Sequence, residues 1–510
     1  MKKALVLILV LAMCLGLVAC SSSVDTTNTT DTTSDAATAT ADNASSSETQ
    51  KTEADAPKEI VTLSWYFMGD DTEANDDVYA AANELLERDL GIHMEFHPIA
   101  PGDYEQQIKL VINSGEDYDI CWASNWRNNY MQNVNNEAFL ALDEYLEDCP
   151  DLVAAIPESL WECSKVNGTI YGVACQQIVA RSTSVAVPVD YVELFDGTVD
   201  VDNVTSYADL TDYIAAIGAE HPAEVICELD WQDFVYVYGI EAILGTKIPG
   251  AVSLVDDKIT VFNQFDTDAW REVARTRREW MEAGYTMPGK AEVGTTTDKQ
   301  YERPLEISTY IPGYENDTMQ GTNNFMVTQR QISDAYVTTG GVTATMMCVN
   351  VNSTHPAEAV KFLEYLNTSS ELMNLLTFGI EGRDYERTAD GKVQRLEDRQ
   401  YNQSGWRLGN TFVLDLEATQ SDEGITAVAA LNASAKASKI AGFTPDTSNI
   451  QLEMTNCQSV VEEYYDLLNE GLTADTDKVV DEMNAKLETA GVKTIIDELQ
   501  SQINAWLAEK

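Results

Sequence analysis

Residues 60–123 alternate between two hydrophobic periods, and that alternation restricts the fold more than any other stretch. Ile60-Val61-Thr62-Leu63-Ser64-Trp65-Tyr66-Phe67 is a mostly apolar run of strand-forming residues, the pattern of a buried strand. Val78, Ala81, Ala82, Leu85 and Leu86 then share one face of a helix that Asn75 can cap and Gly91 can end. Ile92 to Ile99 reads as a second strand. A second helix carries Tyr104, Ile108, Leu110 and Val111 as its apolar positions, and Tyr118-Asp119-Ile120-Cys121-Trp122-Ala123 reads as a third strand. Strand, helix, strand, helix, strand implies a parallel sheet joined by right-handed crossovers. In such open sheets ligands sit outside the carboxyl ends of the strands.

Later segments repeat the alternation less cleanly. Tyr207 to Ile217 reads as helix and Val342 to Val351 as strand. Pro356 at a first helical position opens a helix over Ala357 to Leu366, and another spans Leu372 to Phe378. The closing stretch is two helices broken at Gly491. One is striped by Val479, Val480, Met483 and Leu487, the other by Ile495, Ile496, Leu499, Ile503 and Trp506.

Acidic residues number 84 against 32 basic, a net charge of −52. Phosphate contacts need Lys or Arg, so nucleic acid is a poor partner, and so is a broad anionic lipid surface. The acidity reads as solubility. Apolar residues make up 44% of 510 positions, enough for large cores and two or three domains. Nine cysteines are scattered with no Cys-x-x-Cys pair, so they do not form a disulfide framework; most should be small buried apolar residues, and one or two disulfides stay open.

The amino terminus reads as an export signal over residues 1–19. Lys2 and Lys3 precede an apolar run from Ala4 to Gly16. That run is shorter than the roughly 20 residues needed to span a bilayer. Leu17-Val18-Ala19-Cys20 resembles the lipobox of bacterial lipoproteins, which implies a lipidated Cys20 as first mature residue and a membrane-anchored, extracytoplasmic chain. The alternative is an ordinary secretory signal with an incidental Cys. Residues 20–58 are then the lipidated Cys and a polar spacer, too poor in apolar side chains to order itself.

Four histidines and the lack of His-Glu-x-x-His, Gly-x-Ser-x-Gly or a phosphate-cradling Gly-Lys-Ser/Thr leave little for catalysis, and no cofactor is expected. A strand would place His93, Glu95 and His97 on one face, which is either a zinc-ligand set or the solvated side of an outer strand. Carboxylates are so frequent that a pair suited to glycoside hydrolysis carries little information. Aromatics say more. A sugar ring offers C–H groups on its face and hydroxyls at its edge. Trp65 lies toward the end of the first strand, and Trp122, Asn125 and Trp126 lie at or past the end of the third. These ends should meet at one crevice. Further ligand candidates are Asp230 and Trp231 in a polar-aromatic run, Arg181 as a fork for a carboxylate or hydroxyl pair, and Tyr310 and Trp406 in irregular sequence. Asp70 or Asp230 with Arg181 would instead suit the amine and carboxylate of a peptide or amino acid.

The ordered set of segments resembles the extracellular solute-binding proteins of ABC importers. It runs from Trp65-Tyr66-Phe67-Met68-Gly69-Asp70 through Phe139-Leu140-Ala141-Leu142-Asp143 and Asn167-Gly168-Thr169-Ile170-Tyr171-Gly172-Val173, similar to that family's hinge strand. It continues to Asn352-Ser353-Thr354-His355-Pro356 and to Phe378-Gly379-Ile380-Glu381-Gly382, similar to a sugar-binding subgroup with a helical carboxyl-terminal extension. The pattern departs at Ala174-Cys175, where the family usually has Pro. The resemblance implies an α/β, two-lobed periplasmic-binding-protein-like fold with hinge strands, a cleft and carboxyl-terminal helices. It places 59–180 plus about 300–370 in lobe 1, and about 181–299 plus about 371–510 in lobe 2. It implies a monomeric receptor that closes on a mono- or oligosaccharide and delivers it to membrane permease subunits. The same fold binding a peptide, an extracytoplasmic carbohydrate-active enzyme and a surface adhesin are the rivals.

Overall fold

Two sheets and a hinge between them organise the computed structural model, which describes residues 60–115, 118–220, 234–286, 305–312, 317–318 and 326–509. The signal, Cys20, the spacer, Cys227, Asp230 and Trp231 lie outside the described residues.

Strand β1 (Val61–Met68) pairs in parallel with β2 (Ile92–Ile99), from Val61 opposite Ile92 to Met68 opposite Ile99. On its other side β1 pairs in parallel with β3 (Ile120–Ala123). Two late strands complete this five-stranded sheet. β11 (Met346–Val349) lies antiparallel to β3 and to β4 (Val173–Ala174), so the sheet is mixed, where the sequence implied a parallel one. The segment from Val342 also starts differently from its expected strand, because Thr339–Val342 forms a helical turn capped by the Thr338 hydroxyl.

Helix α1 (Asn75–Asp89) buries Val78, Ala82, Leu85 and Leu86 against this sheet. Burying each larger aliphatic side chain contributes about 1.5–3 kcal/mol. Its cap is Ala74, without a side-chain bond. Asn75 instead donates to the Asp70 carbonyl at 2.8 Å and fastens the loop after β1. Gly91, at φ 72°, turns the chain into β2 as expected. In α2 (Tyr104–Ser114), Tyr104, Ile108 and Val111 are buried but Leu110 faces solvent. Helix α4 (Pro356–Thr368) does begin with Pro356, and α5 (Ser370–Phe378) follows it.

Lobe 2 is built on an antiparallel sheet of β7 (Glu306–Thr309), β6 (Thr183–Pro188), β9 (Met326–Gln331) and β8 (Asp317–Thr318), in that order. β6 is buried throughout. Four helices share this lobe's core: α3 (Asp268–Glu282), α6 (Gln451–Asn469), α7 (Thr476–Ala490) and α8 (Val492–Glu509). Gly491, at φ 106°, separates the last two. Among the described residues no helix is long and apolar enough to cross a membrane.

The two cores move two boundaries of the sequence reading. One core joins residues 63–179 with Val337 to Leu408. The other joins 185–332 with Ile440 to Ile503. The described residues of 305–332 therefore pack with lobe 2, because Leu305, Ile307 and Ile332 are buried there. Residues 372–408 belong to lobe 1, because Leu372, Met373, Leu376 and Tyr401 are buried there. Periodicity marks which face of a helix is apolar, but not which of two cores receives it.

Three short strands cross between the lobes side by side. β10 (Tyr336–Val337) is antiparallel to β5 (Ala180–Arg181) and parallel to β12 (Lys436–Ala437). The Asn432 side chain accepts from the Val179 and Ala180 amides and donates to the Gln177 carbonyl, pinning the first crossing. The family departure falls here as well. Cys175 carries an amide that proline would lack, and it donates to the Thr345 carbonyl at 3.0 Å. All six described cysteines are free and buried.

Candidate functional site

The crossings leave from a single edge of the lobe 1 sheet. Met68, Ile99, Ala123, Met346 and Ala174 lie along it by register. The loops beyond that edge carry most of the polar side chains singled out by sequence.

After β3 the chain turns on Ser124. Its hydroxyl accepts from the Trp126 amide at 3.2 Å and the Arg127 amide at 2.8 Å, and donates to the Arg127 carbonyl. This turn lifts Trp126 out of the fold. Trp126 is 49% exposed, and no other described tryptophan is among the exposed residues. Its indole Nε1 donates to the Ala344 carbonyl at 3.0 Å, and the Arg127 guanidinium lies 5.2 Å from its ring centroid. Asn125 is exposed beside it, and its Nδ2 donates to the Gly340 carbonyl at 3.1 Å.

Trp65 and Trp122 are corrections. Both are fully buried. Trp65 packs against Phe67, Phe96 and Phe362, and Trp122 stands edge-on to Tyr104 and Trp126. Alternation along a strand puts these residues on its buried faces, so neither has a free ring face. Trp122 supports Trp126 from beneath.

A second cluster sits past β1. Asp70 is exposed, and its carbonyl accepts from Asn75 and from Gln403. The Arg407 guanidinium lies 5.3 Å from the Trp406 ring and donates to the Met68 carbonyl and the Ser404 hydroxyl. Its Nε is buried without a partner. Burial pushes the Arg407 pKa down, and the nearby Asp70 charge acts against that shift. The two clusters share Met68, because Arg127 reaches its sulfur at 3.6 Å.

Arg181 stands on the first crossing. Its Cγ passes close to Gly341, whose neighbour Gly340 receives the Asn125 bond. The Arg181 guanidinium has no hydrogen-bond or ion-pair partner among the described residues. Tyr310 lies across the hinge end of β6, its amide donating to the Ser182 carbonyl at 3.0 Å. The structure thus gathers Asn125, Trp126 and Arg181 around 340–344, sets Asp70 and Trp406 at the adjoining loop, and puts Tyr310 on the lobe 2 side.

Sequence reading missed Arg127, Arg407 and Gln177, whose amide donates to the Thr345 hydroxyl at the same crossing. The signal is partial: Trp126-Arg127 and Trp406-Arg407 are the same dipeptide in two loops, but a third copy, Trp270-Arg271, lies in α3 with its Trp buried and its Arg ion-paired. His93, Glu95 and His97 lie on β2, the outer strand. His93 engages Glu87 at 2.7 Å and His97 stacks on Tyr66. Among the described residues no three His, Cys, Asp or Glu side chains are placed to hold a metal.

A flat indole flanked by guanidinium and amide groups binds a polar ring by stacking and edge hydrogen bonds. The comparisons agree with a binding fold. A family model described as a domain of unknown function, DUF3502, matches residues 439–508, the closing helices. The chain is 26% identical over 479 residues to a carbohydrate ABC transporter substrate-binding protein of Streptococcus pneumoniae, covering 91% of this chain and 94% of that protein. It superposes on the crystal structure of the N-glycan transport solute-binding protein NgtS of the same organism with a TM-score of 0.77 at 25% identity, covering 88% of this chain and 99% of the other. For NgtS in complex with Man5GlcNAc the TM-score is 0.71, at the same identity and coverage. With its two cores, its three crossing strands and these relatives matched along nearly their whole length, the chain has the two-lobed fold of the extracellular solute-binding proteins and is similar to a carbohydrate-transport member of that group.

Proposed function

We propose that this chain is the substrate-binding receptor of an ABC importer, that it works outside the cytoplasm, and that it captures a carbohydrate between its lobes. The observation that carries this reading is Trp126. It is a half-exposed indole on the lobe edge from which the hinge departs, with Asn125 beside it and the Arg127 guanidinium over its ring, 5.2 Å from the centroid. The similar NgtS was solved with a glycan, which supports the class of cargo.

The mechanism is closure. A ligand that stacks on Trp126 and meets Arg181 and Tyr310 bridges lobe 1, the first crossing and lobe 2. Only contacts to both lobes favour the closed state over the open one. The closed pair of lobes is the surface a permease reads. Cys20 anchors the monomeric receptor by lipid, with residues 21–58 as its tether, after removal of residues 1–19. The chain carries out no turnover.

Titration calorimetry of the full chain against neutral oligosaccharides, amino acids and short peptides tests this, with each mixture checked for product by mass spectrometry. Saturable binding of an oligosaccharide that is recovered intact is the expected result. Cleavage of the sugar would make the chain an enzyme. Binding of peptides alone would favour the rival cargo.

A further inference from the structure

The cleft edge carries positive charge that the rest of the chain does not explain. Acidic residues outnumber basic ones by 84 to 32, so an arginine has carboxylates available almost anywhere. Arg88, Arg271, Arg275, Arg330, Arg383 and Arg395 are each ion-paired. Arg127, Arg181 and Arg407 form no ion pair among the described residues, and neither does Arg399, which bonds Asn402 and the Leu396 carbonyl. Arg127 and Arg181 stand where the crossings leave lobe 1, and Arg407 at the adjoining loop, with the Asp70 charge nearby.

Their donors are spare as well. Arg127 uses one nitrogen, on the Met68 sulfur and the Pro101 carbonyl. Arg407 keeps a buried Nε with no acceptor. Arg181 has no side-chain acceptor at all among the described residues. A guanidinium is always charged and presents five donors in a rigid fork matched to a carboxylate. Partly buried guanidinium groups left without acceptors are costly unless something else supplies the oxygens. Arg127 and Arg407 each lie over the tryptophan that precedes them, at 5.2 and 5.3 Å. Each loop thus offers a flat face and an anion-binding fork together.

Resting on the carbohydrate reading above, we infer that the cargo is an acidic glycan, and that a carboxylate on one of its sugar rings is held by the unpaired arginines while the ring stacks on the adjoining indole. A sulfate ester would present similar oxygens, and the test separates the two.

The full chain is titrated with matched oligosaccharides: neutral, the same backbone carrying a uronate or sialate carboxylate, and the same backbone sulfated. The carboxylate form is expected to bind at least tenfold more tightly than the neutral one, with an advantage that shrinks in 0.5 M salt. Arg127→Gln and Arg181→Gln are each expected to weaken carboxylate binding far more than neutral binding, and so to remove most of that advantage. Arg181→Lys should restore only part of it, because it keeps the charge and loses the fork. Circular dichroism melts exclude misfolded variants. Equal binding of neutral and carboxylate forms would overturn the inference and leave the carbohydrate reading standing. A preference for the sulfated form alone would overturn the carboxylate assignment. Silence toward all three would overturn the carbohydrate reading itself.

Discussion

The indole Nε1 of Trp126 donates to the carbonyl of Ala344 at 3.0 Å, tying the exposed ring of lobe 1 to the turn that leads from the return crossing into β11. The ring most available to a ligand is thus fixed to the segment that must flex on closure. Trp126→Ala should weaken ligand binding by about 2 kcal/mol or more, roughly thirtyfold, as for a central aromatic anchor. Its exposure predicts little change in melting temperature. Trp126→Phe should keep part of the affinity and lose the bond to Ala344. Calorimetry and thermal melts on the two variants check both points.

Trp65 sits in the same sheet and should behave in the opposite way. It is fully buried against Phe67, Phe96 and Phe362. Trp65→Ala opens a cavity and should cost about 3–5 kcal/mol of stability. The indole nitrogen has no acceptor, so Trp65→Phe removes an unsatisfied donor and should cost much less. Urea denaturation of the two variants gives the comparison. An Ala variant as stable as the parent would show that the core does not depend on this ring.

Glu241 predicts a pH dependence beneath the hinge. It is buried in lobe 2 and accepts a hydrogen bond from the Ser438 hydroxyl, next to the third crossing strand. Burial raises its pKa to about 7, and the Ser438 bond works in the lowering direction. The folded state therefore holds a proton there that the unfolded chain has released above its ordinary value near 4.5. Stability from this group is full below that value, falls as pH rises toward about 7, and levels off above it. The loss corresponds to about 3 kcal/mol. Glu241→Gln should flatten this part of the stability profile between pH 5 and 8, measured by denaturant midpoints.

The six described cysteines should be inert in the folded protein. All are buried and free, and burial pushes the Cys121 thiol up to about 12. A thiolate is the reactive form, so alkylation of these six near neutral pH should be negligible until denaturant is added. Mass-spectrometric mapping of labelled peptides reads this directly. Rapid native labelling of Cys121 or Cys348 would place them on an opening segment.

The three opening strands, the helices after Asn75 and Pro356 and the break at Gly491 were legible because each rests on local pattern. The membership of 305–332 and 372–408 was not, because that depends on which core lies across the hinge. The antiparallel β11 was hidden for the same reason: a ten-residue strand-like run over Val342 to Val351 does not say which way it pairs. At the site, Trp126 and Trp122 look alike in sequence. Only the Ser124 turn, which lifts one out and leaves the other under it, separates platform from support. Arg127 and Arg407 are not legible in net charge, because that is a whole-chain quantity dominated by acid and says nothing of the local edge where the two arginines stand.

Gly341 gives the sharpest test of that edge. It lies in the return crossing, where a Cβ would fall 2.7 Å from the Val179 carbonyl and 3.1 Å from Arg181 Cγ. The first of these atoms is backbone and belongs to the segment that Asn432 already holds by two amides. It cannot retreat without breaking those bonds. Gly341→Ala should therefore push the first and return crossings apart, lowering stability by about 1–3 kcal/mol. It should also weaken ligand binding by displacing Arg181, although residue 341 need not touch the ligand. Gly197, by contrast, lies in the helix Val192–Thr198 with open space around the added atom, and Gly197→Ala should leave binding unchanged and raise stability by about 0.5–1 kcal/mol. Melting curves and calorimetry on the pair decide the matter. Full affinity in a destabilised Gly341→Ala chain would show that Arg181 is not positioned by the contact between the two crossings.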